Sequence, residues 1–133
     1  MSGGVGDRAS RTRTVRAEDI ELFTQLTGDR NPLHYDEAAA RASRFGEIIV
    51  QGGITSAILN AVVAEDLPGP GTVFLEVAWR FTAPVRPGDT ITGEVEVTAA
   101  RADKPITHLT TTVTRDDGIV ALEGTAVCYT VAV

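Results

Sequence analysis

The sequence predicts a single α+β domain in which an antiparallel sheet wraps around one long central helix. The chain has 133 residues, the usual size of one domain. Residues 52–67 form a helical pattern that is apolar almost all round, which indicates a helix buried on most sides. From residue 73 onward the pattern indicates long strands separated by turns. Strands that follow one buried helix are typical of an α+β architecture rather than a doubly wound one.

Composition restricts the class of protein. Hydrophobic residues make up 43% of the chain and charged residues 23%, which favours a packed core over disorder. The formal net charge of −6 argues against binding to nucleic acid or to an anionic membrane. Cys128 is the only cysteine, so an internal disulfide and a cysteine zinc site are excluded. No signal peptide is expected and no apolar run reaches the ~18 residues of a membrane span, which predicts a cytoplasmic protein.

The first elements follow a segment that we expect to be flexible. Residues 1–10 are rich in glycine and charge, so the domain itself is predicted to span residues 11–133. Residues 11–16 indicate a short strand. A helix follows from Ala17, and its apolar residues recur at helical spacing: Ile20, Phe23 and Leu26.

Glycine and proline residues mark the ends of the helices. The first helix ends at Thr27-Gly28-Asp29, and Asn31-Pro32 continues as a turn because a residue before proline avoids helical geometry. Asp36 is a good N-cap for a short helix that ends at Ala42. The run Pro68-Gly69-Pro70-Gly71 ends the long helix. The strands and turns of the remaining chain are predicted at 73–82, 87–89 (turn), 90–98, 107–115, 116–118 (hairpin turn) and 119–131.

The chain has two histidines, and their surroundings differ. His108 lies in a threonine-rich strand with no carboxylate nearby in the sequence. His34 lies in a loop between two helices, five residues after Asp29. A carboxylate and an imidazole aimed at one point can divide acid and base duties about a single water. The spacing alone is equally consistent with Asp29 capping a turn and His34 being an exposed loop residue.

A glycine pair, Gly52-Gly53, opens the long helix directly after an apolar run. Glycine lets a ligand approach the backbone closely, and the free N–H groups at a helix start can stabilise an oxyanion. A tight turn with no ligand would explain the same pair. By itself the pair leaves both interpretations open.

Together and in this order, the two segments resemble the MaoC-like family of (R)-specific enoyl-CoA hydratases, also called hydratase 2, which have a hotdog fold. The motif begins with the aromatic Phe23 and continues from Thr27 to Asp36 as T-G-D-R-N-P-L-H-Y-D. The resemblance extends over nearly the whole chain from about Arg13. Further matching features are Phe45-Gly46, the glycine that opens the long helix, the Pro-Gly break after it, the strand end at Phe81 to Val85, and Pro87-Gly88-Asp89.

The resemblance implies syn addition of water to a trans-2-enoyl thioester, or the reverse dehydration of a 3-hydroxyacyl thioester. It assigns His34 as the base that takes a proton from water and Asp29 as the group that delivers a proton to the α-carbon. The Gly52 N–H would donate to the thioester oxygen. An overhanging helix-loop segment would carry this catalytic pair, and neither metal nor organic cofactor is implied. The expected substrate-binding residues are Asn31, Gln51 and Gly53.

The resemblance also implies partners. Hotdog domains pair their sheets, so a homodimer with the active site at the interface is expected. The substrate would be a thioester of coenzyme A or of acyl carrier protein, with no nucleic acid or membrane partner. Both carriers are anionic, and local positive charge to receive them could come from Arg41 and Arg44 or from Arg101 and Lys104.

One departure from the family pattern bears on specificity. The helix entry is Gln51-Gly52-Gly53, where family members usually have His-Gly-Met. This difference suggests a non-standard acyl group, bulkier or more polar.

Three alternative functions stay open. An isomerase or cyclase would use the same acid–base pair. A hotdog thioesterase usually needs a carboxylate early in the central helix, which here has none before Glu65. A non-catalytic acyl-binding subunit generally lacks the Asp or the His.

Overall fold

The computed structural model describes residues 4–133; residues 1–3, which belong to the expected flexible start, lie outside the described residues. The strands pair antiparallel throughout, in the order β1-β3-β4-β5-β2. This confirms the predicted α+β class. The elements in chain order are β1 (Arg8–Thr14), α1 (Ala17–Thr27), a 3-10 turn (Pro32–His34), α2 (Glu37–Ala42), α3 (Gly52–Ala61), a π turn (Val62–Asp66), β2 (Thr72–Phe81), β3 (Thr90–Ala100), β4 (Ile106–Arg115) and β5 (Val120–Thr130).

The sheet packs around α3, which forms the centre of the core. Leu59 of α3 is fully buried, together with inward-facing residues of β3 and β4 such as Val95 and Leu109. Gly93 in β3 allows this close packing, because a Cβ there would lie 2.7 Å from Cγ2 of Ile58. Alternation along the strands therefore buries one sheet face against the helix, as the sequence predicts.

The sheet begins earlier in the chain than expected. Arg8 to Ser10 belong to β1 and pair with β3, with Arg8 opposite Glu96. β1 thus begins three residues before residue 11, where the predicted strand and the expected domain 11–133 begin. These polar residues are ordered by backbone hydrogen bonds to β3, which the composition of residues 8–10 does not predict.

Two helices differ in detail from the predictions. The expected helix 52–67 is α-helical only to Ala61, and the Leu67 N–H then donates to the Val62 carbonyl at 2.9 Å, which closes a π turn. In α1, Ile20 is buried as expected, but Leu26 is 81% exposed.

In the part of the chain that the structure describes, no helix is both long enough and apolar enough to span a membrane.

Candidate active site

The loop that follows α1 is held by its own polar side chains. Gly28 adopts the left-handed conformation (φ 80°) that ends α1, and its N–H donates to the Thr24 carbonyl. The Asp29 carboxylate accepts from the Asn31 N–H, and the Asn31 side chain accepts from the Leu33 N–H, both at 3.1 Å. These bonds order the loop that enters the 3-10 turn. The loop between α1 and α2 is therefore ordered, and it contains a 3-10 turn at Pro32–His34 where the sequence predicted a simple turn.

The buried side chain of His34 ends this turn and faces Asp29. Its Nδ1 lies 2.7 Å from the Ile49 carbonyl oxygen, which can only accept, so Nδ1 carries the proton and Nε2 presents a lone pair. Nε2 lies 3.9 Å from Oδ2 of Asp29. This separation is too long for a direct hydrogen bond, but both atoms can contact one water molecule. The structure thus brings together the two side chains that the sequence analysis paired.

A cavity of about 300 Å³ lies beside His34 and includes the start of α3. Gly52 is the first residue of that helix, so its N–H has no intrahelical partner. No residue within 4–133 accepts a hydrogen bond from this N–H through a side chain or a turn. His34 and Gly52 both line the cavity, and an imidazole and a backbone donor are the groups that an enolate-forming reaction needs. Its other lining residues include Arg44, Phe45, Thr55, Phe81 and Val85.

A larger apolar cavity, of about 520 Å³, lies between β1, α1 and α3. Its lining includes Phe23 and Ala57 but none of the predicted catalytic residues. The smaller cavity is therefore the candidate active site, because His34 and Gly52 line it. Asp29 is not part of its lining, but Oδ2 of Asp29 lies 3.9 Å from Nε2 of His34.

The three residues expected to bind substrate, Asn31, Gln51 and Gly53, lie outside the lining of this cavity. Gln51 is 1% exposed, and its Nε2 donates to the Ile20 carbonyl (3.2 Å), away from the cavity. Gly53 packs against Phe23, since a Cβ there would lie only 2.1 Å from Cζ of that ring. Asn31 is exposed and holds the loop through its side chain. Gln51 and Gly53 thus pack against α1, and Asn31 stabilises its own loop.

Several cavity residues were not predicted as site residues. Phe45 and Phe81 entered the sequence analysis only as family features. Thr55 is buried and lines the cavity, one helical turn after Gly52. Helical periodicity alone would have found Thr55, because residues i and i+3 share a helix face. Phe45 and Phe81 come from distant segments, and no local spacing connects them to the site.

The remaining candidates lie outside the cavity or at its border. His108 is exposed, on the side of β4 opposite the buried Thr107 and Leu109. The Arg101 guanidinium is paired with Asp103 at 2.6 Å. Arg44 lines the cavity with its guanidinium 5.5 Å from the centre of the Phe45 ring, and it has no carboxylate partner among residues 4–133.

Cys128 is fully buried in β5 and does not line the cavity. Burial raises the pKa of its thiol to about 11, because the charged thiolate is disfavoured away from water. The sole cysteine is therefore an inert core residue rather than a nucleophile.

Comparison with known proteins gives consistent matches. The family model of the MaoC like domain matches residues 4–118. The chain is 39% identical over 123 residues to the (R)-specific enoyl-CoA hydratase of Aeromonas caviae, covering 92% of each protein. It is 36% identical over 114 residues to the 3-hydroxybutyryl-CoA dehydratase of Methylorubrum extorquens, covering 86% of this chain and 72% of the relative.

The fold matches as well as the sequence. The structure of an (R)-hydratase from A. caviae involved in PHA biosynthesis superimposes with a TM-score of 0.92, at 38% identity and over 98% of each chain. The family model covers most of the chain, and the two relatives and this structure agree with it. The chain therefore belongs to the MaoC-like domain family, with the hotdog fold of the (R)-hydratases.

Proposed function

We propose that this protein adds water to a trans-2-enoyl thioester to give the (R)-3-hydroxyacyl thioester, and catalyses the reverse dehydration. The observation that carries the proposal is the pairing of Nε2 of His34 with Oδ2 of Asp29 at 3.9 Å, beside the free N–H of Gly52. The names of the matched relatives support the same hydro-lyase chemistry.

The mechanism follows from the position of these groups. Water bridges the two side chains, and its oxygen bonds to C3 of the substrate while Nε2 of His34 takes one of its protons. The carboxyl group of Asp29 delivers a proton to C2 on the same face, which makes the addition syn. The proton on His34 then returns to Asp29 through the next water molecule that bridges the two side chains, so one molecule of water is consumed in each cycle.

The start of α3 stabilises the charge that develops on the thioester oxygen. The N–H of Gly52 would donate to that oxygen, and the positive end of the helix dipole adds to the effect. His34 is 9% exposed, so the reacting atoms are shielded from bulk water, where such interactions are weak.

The alternatives have less support. A thioesterase of this fold needs a carboxylate early in the central helix, and Gly52–Ala61 contains none. A non-catalytic subunit would not need the ordered Asp29–His34 pair. An isomerase or cyclase would use the same residues, and the products of the enoyl thioester assay below distinguish these from a hydratase.

The side chains that depart from the family pattern bear on substrate choice. Gln51 and Gly53 contact α1 and not the cavity. We therefore expect no special acyl pocket from this departure, and we expect crotonyl-CoA to be turned over at least as well as a branched enoyl thioester. A clear preference for the branched substrate would restore the hypothesis of a non-standard acyl group.

The carrier is proposed to approach from the side of Arg44, which lines the cavity and has no carboxylate partner within residues 4–133. Coenzyme A and the prosthetic group of acyl carrier protein both carry phosphate, which a guanidinium can bind.

We also infer a homodimer, because β2 is an edge strand with exposed apolar residues: Val73, Leu75, Val77 and Phe81. The cytoplasmic location stays a prediction.

The catalytic assignment is tested with His34→Ala and Asp29→Asn. Each should lower kcat by at least ~10²-fold, the usual contribution of a positioned acid or base, without loss of the fold. The assay follows the absorbance of the conjugated enoyl thioester and the chirality of the product. His108→Ala is the matched control, since that imidazole is exposed on β4 and does not line the cavity. Near wild-type turnover by either site variant would contradict the mechanism.

A further inference from the structure

A single hydroxyl group lies where the segments of the proposed site meet. Thr24 belongs to α1, is 3% exposed and does not line the catalytic cavity. Its Oγ1 donates to the Asp29 carbonyl oxygen at 2.7 Å and accepts from Nε2 of Gln51 at 3.1 Å. It is also hydrogen-bonded to the hydroxyl of Tyr35.

Each of these partners belongs to a proposed catalytic residue or to its direct neighbour in the chain. The carbonyl belongs to Asp29 itself, Tyr35 directly follows His34, and Gln51 directly precedes Gly52. The hydroxyl therefore links the segments that carry the carboxyl, the imidazole and the oxyanion donor.

The hydroxyl is fully used in this arrangement. A threonine hydroxyl has one donor and two acceptor sites. The Asp29 carbonyl takes the donor and the Gln51 amide takes one acceptor site. The second acceptor site faces the Tyr35 hydroxyl, whose oxygen also lies 3.0 Å from Oε2 of Glu21. Gln51 already has one buried atom, Oε1, without a partner within residues 4–133. Loss of the hydroxyl would remove a hydrogen-bond partner from the Asp29 carbonyl and from the Gln51 amide. Buried polar groups without a partner are costly, so the segments that carry them would rearrange.

We propose that Thr24 is a positioning residue that sets the geometry of Asp29, His34 and Gly52. The inference rests on the proposed function, because it concerns how the proposed catalytic groups are aligned. Misplacement by about 1 Å can cost on the order of 10²-fold in rate. The hydroxyl does not touch the cavity, so its loss should lower kcat and leave KM nearly unchanged.

Three variants test this. Thr24→Val removes the hydroxyl at nearly constant volume, and Thr24→Ser keeps it. Thr111→Val is the matched control, because Thr111 is a buried threonine of β4 whose hydroxyl has no partner among the described residues. We expect kcat to fall by about 10-fold or more in Thr24→Val, with KM within about 2-fold, and to recover in Thr24→Ser. The control should match the wild type. Equal turnover by Thr24→Val and the wild type would overturn the proposal.

Amide hydrogen exchange supplies a readout that does not depend on the substrate. Thr24→Val should speed exchange in residues 28–36 and 50–54, whereas Thr111→Val should not. Unchanged exchange in both segments would also overturn the positioning role. If the wild type turns over no enoyl thioester, the proposed function fails, and the exchange data alone decide whether Thr24 holds the three segments.

Discussion

At the residue scale, one backbone carbonyl sets the chemistry of His34. The Ile49 oxygen accepts from Nδ1 and so leaves Nε2 as the basic atom toward Asp29. An imidazole free to adopt either tautomer would present a lone pair to the water only part of the time. The base is therefore defined by a contact that no residue of the motif supplies.

Also at this scale, Gly52 and Gly53 have different roles, and alanine substitutions should distinguish these roles. Gly53→Ala places a Cβ 2.1 Å from the Phe23 ring, so we expect a loss of about 1–3 kcal/mol in the free energy of unfolding. Gly52→Ala meets Phe81 at 3.2 Å, and that exposed ring can shift, so stability should change by less than about 1 kcal/mol while kcat/KM falls. Urea unfolding measures the free energy of unfolding of each variant, and the hydratase assay measures kcat/KM. The reverse ranking of stabilities would contradict these roles.

At the scale of elements, Asp19 fixes the start of α1 and so the platform for the catalytic loop. Its buried carboxylate accepts from the Arg16 N–H at 2.9 Å and from Arg13 at 2.7 Å. The hydrogen bond from Arg13 is the main reason that the pKa of Asp19 lies below its ordinary value of 3.8. The ionised carboxylate is therefore favoured by folding, and the site depends on a helix whose start is sensitive to acid.

Asp19→Asn should cost about 1 kcal/mol of unfolding free energy at pH 7. A carboxyl with a lowered pKa in the folded state stabilises the fold above its unfolded pKa, and this contribution disappears as the pH falls through the folded value. The difference between variant and wild type should therefore shrink as the pH falls below the ordinary carboxyl value of 3.8. Glu18→Gln is the control, since Glu18 is largely exposed and lies 3.8 Å from Arg16. A difference independent of pH would contradict the assignment.

At the scale of the whole molecule, the two edges of the sheet differ in character. The β1 edge is polar, with exposed arginine, serine and threonine residues along Arg8–Thr14. The β2 edge exposes apolar side chains, among them Leu75 (56%) and Val77 (43%). Polar edges resist pairing with another chain and apolar edges favour it. The two-fold pairing that we infer therefore involves β2.

Val77→Arg should convert a dimer to a monomer, because paired edges would place two arginines together. Thr12→Arg adds the same charge to β1 and should leave the oligomeric state unchanged. Light scattering at micromolar concentration measures the mass, and the hydratase assay shows whether the site needs its partner. A monomeric wild type, or a dimeric Val77→Arg variant, would contradict the inferred interface.

Local sequence patterns determined much of this protein. The central helix, the four strands after it and the loop with Asp29 and His34 follow from periodicity and from glycine and proline punctuation, which act over a few residues. Even the pairing of those two side chains was predictable, because one short connector carries both.

Only the tertiary structure decided how the site is completed. It turned Gln51 and Gly53 toward α1, brought Phe45 and Phe81 into the cavity, and placed the Ile49 carbonyl against His34. It also extended the first strand back to Arg8 through pairing with β3. The physical reason is that these contacts join segments far apart in the chain, so their partners and close approaches depend on packing rather than on any local spacing.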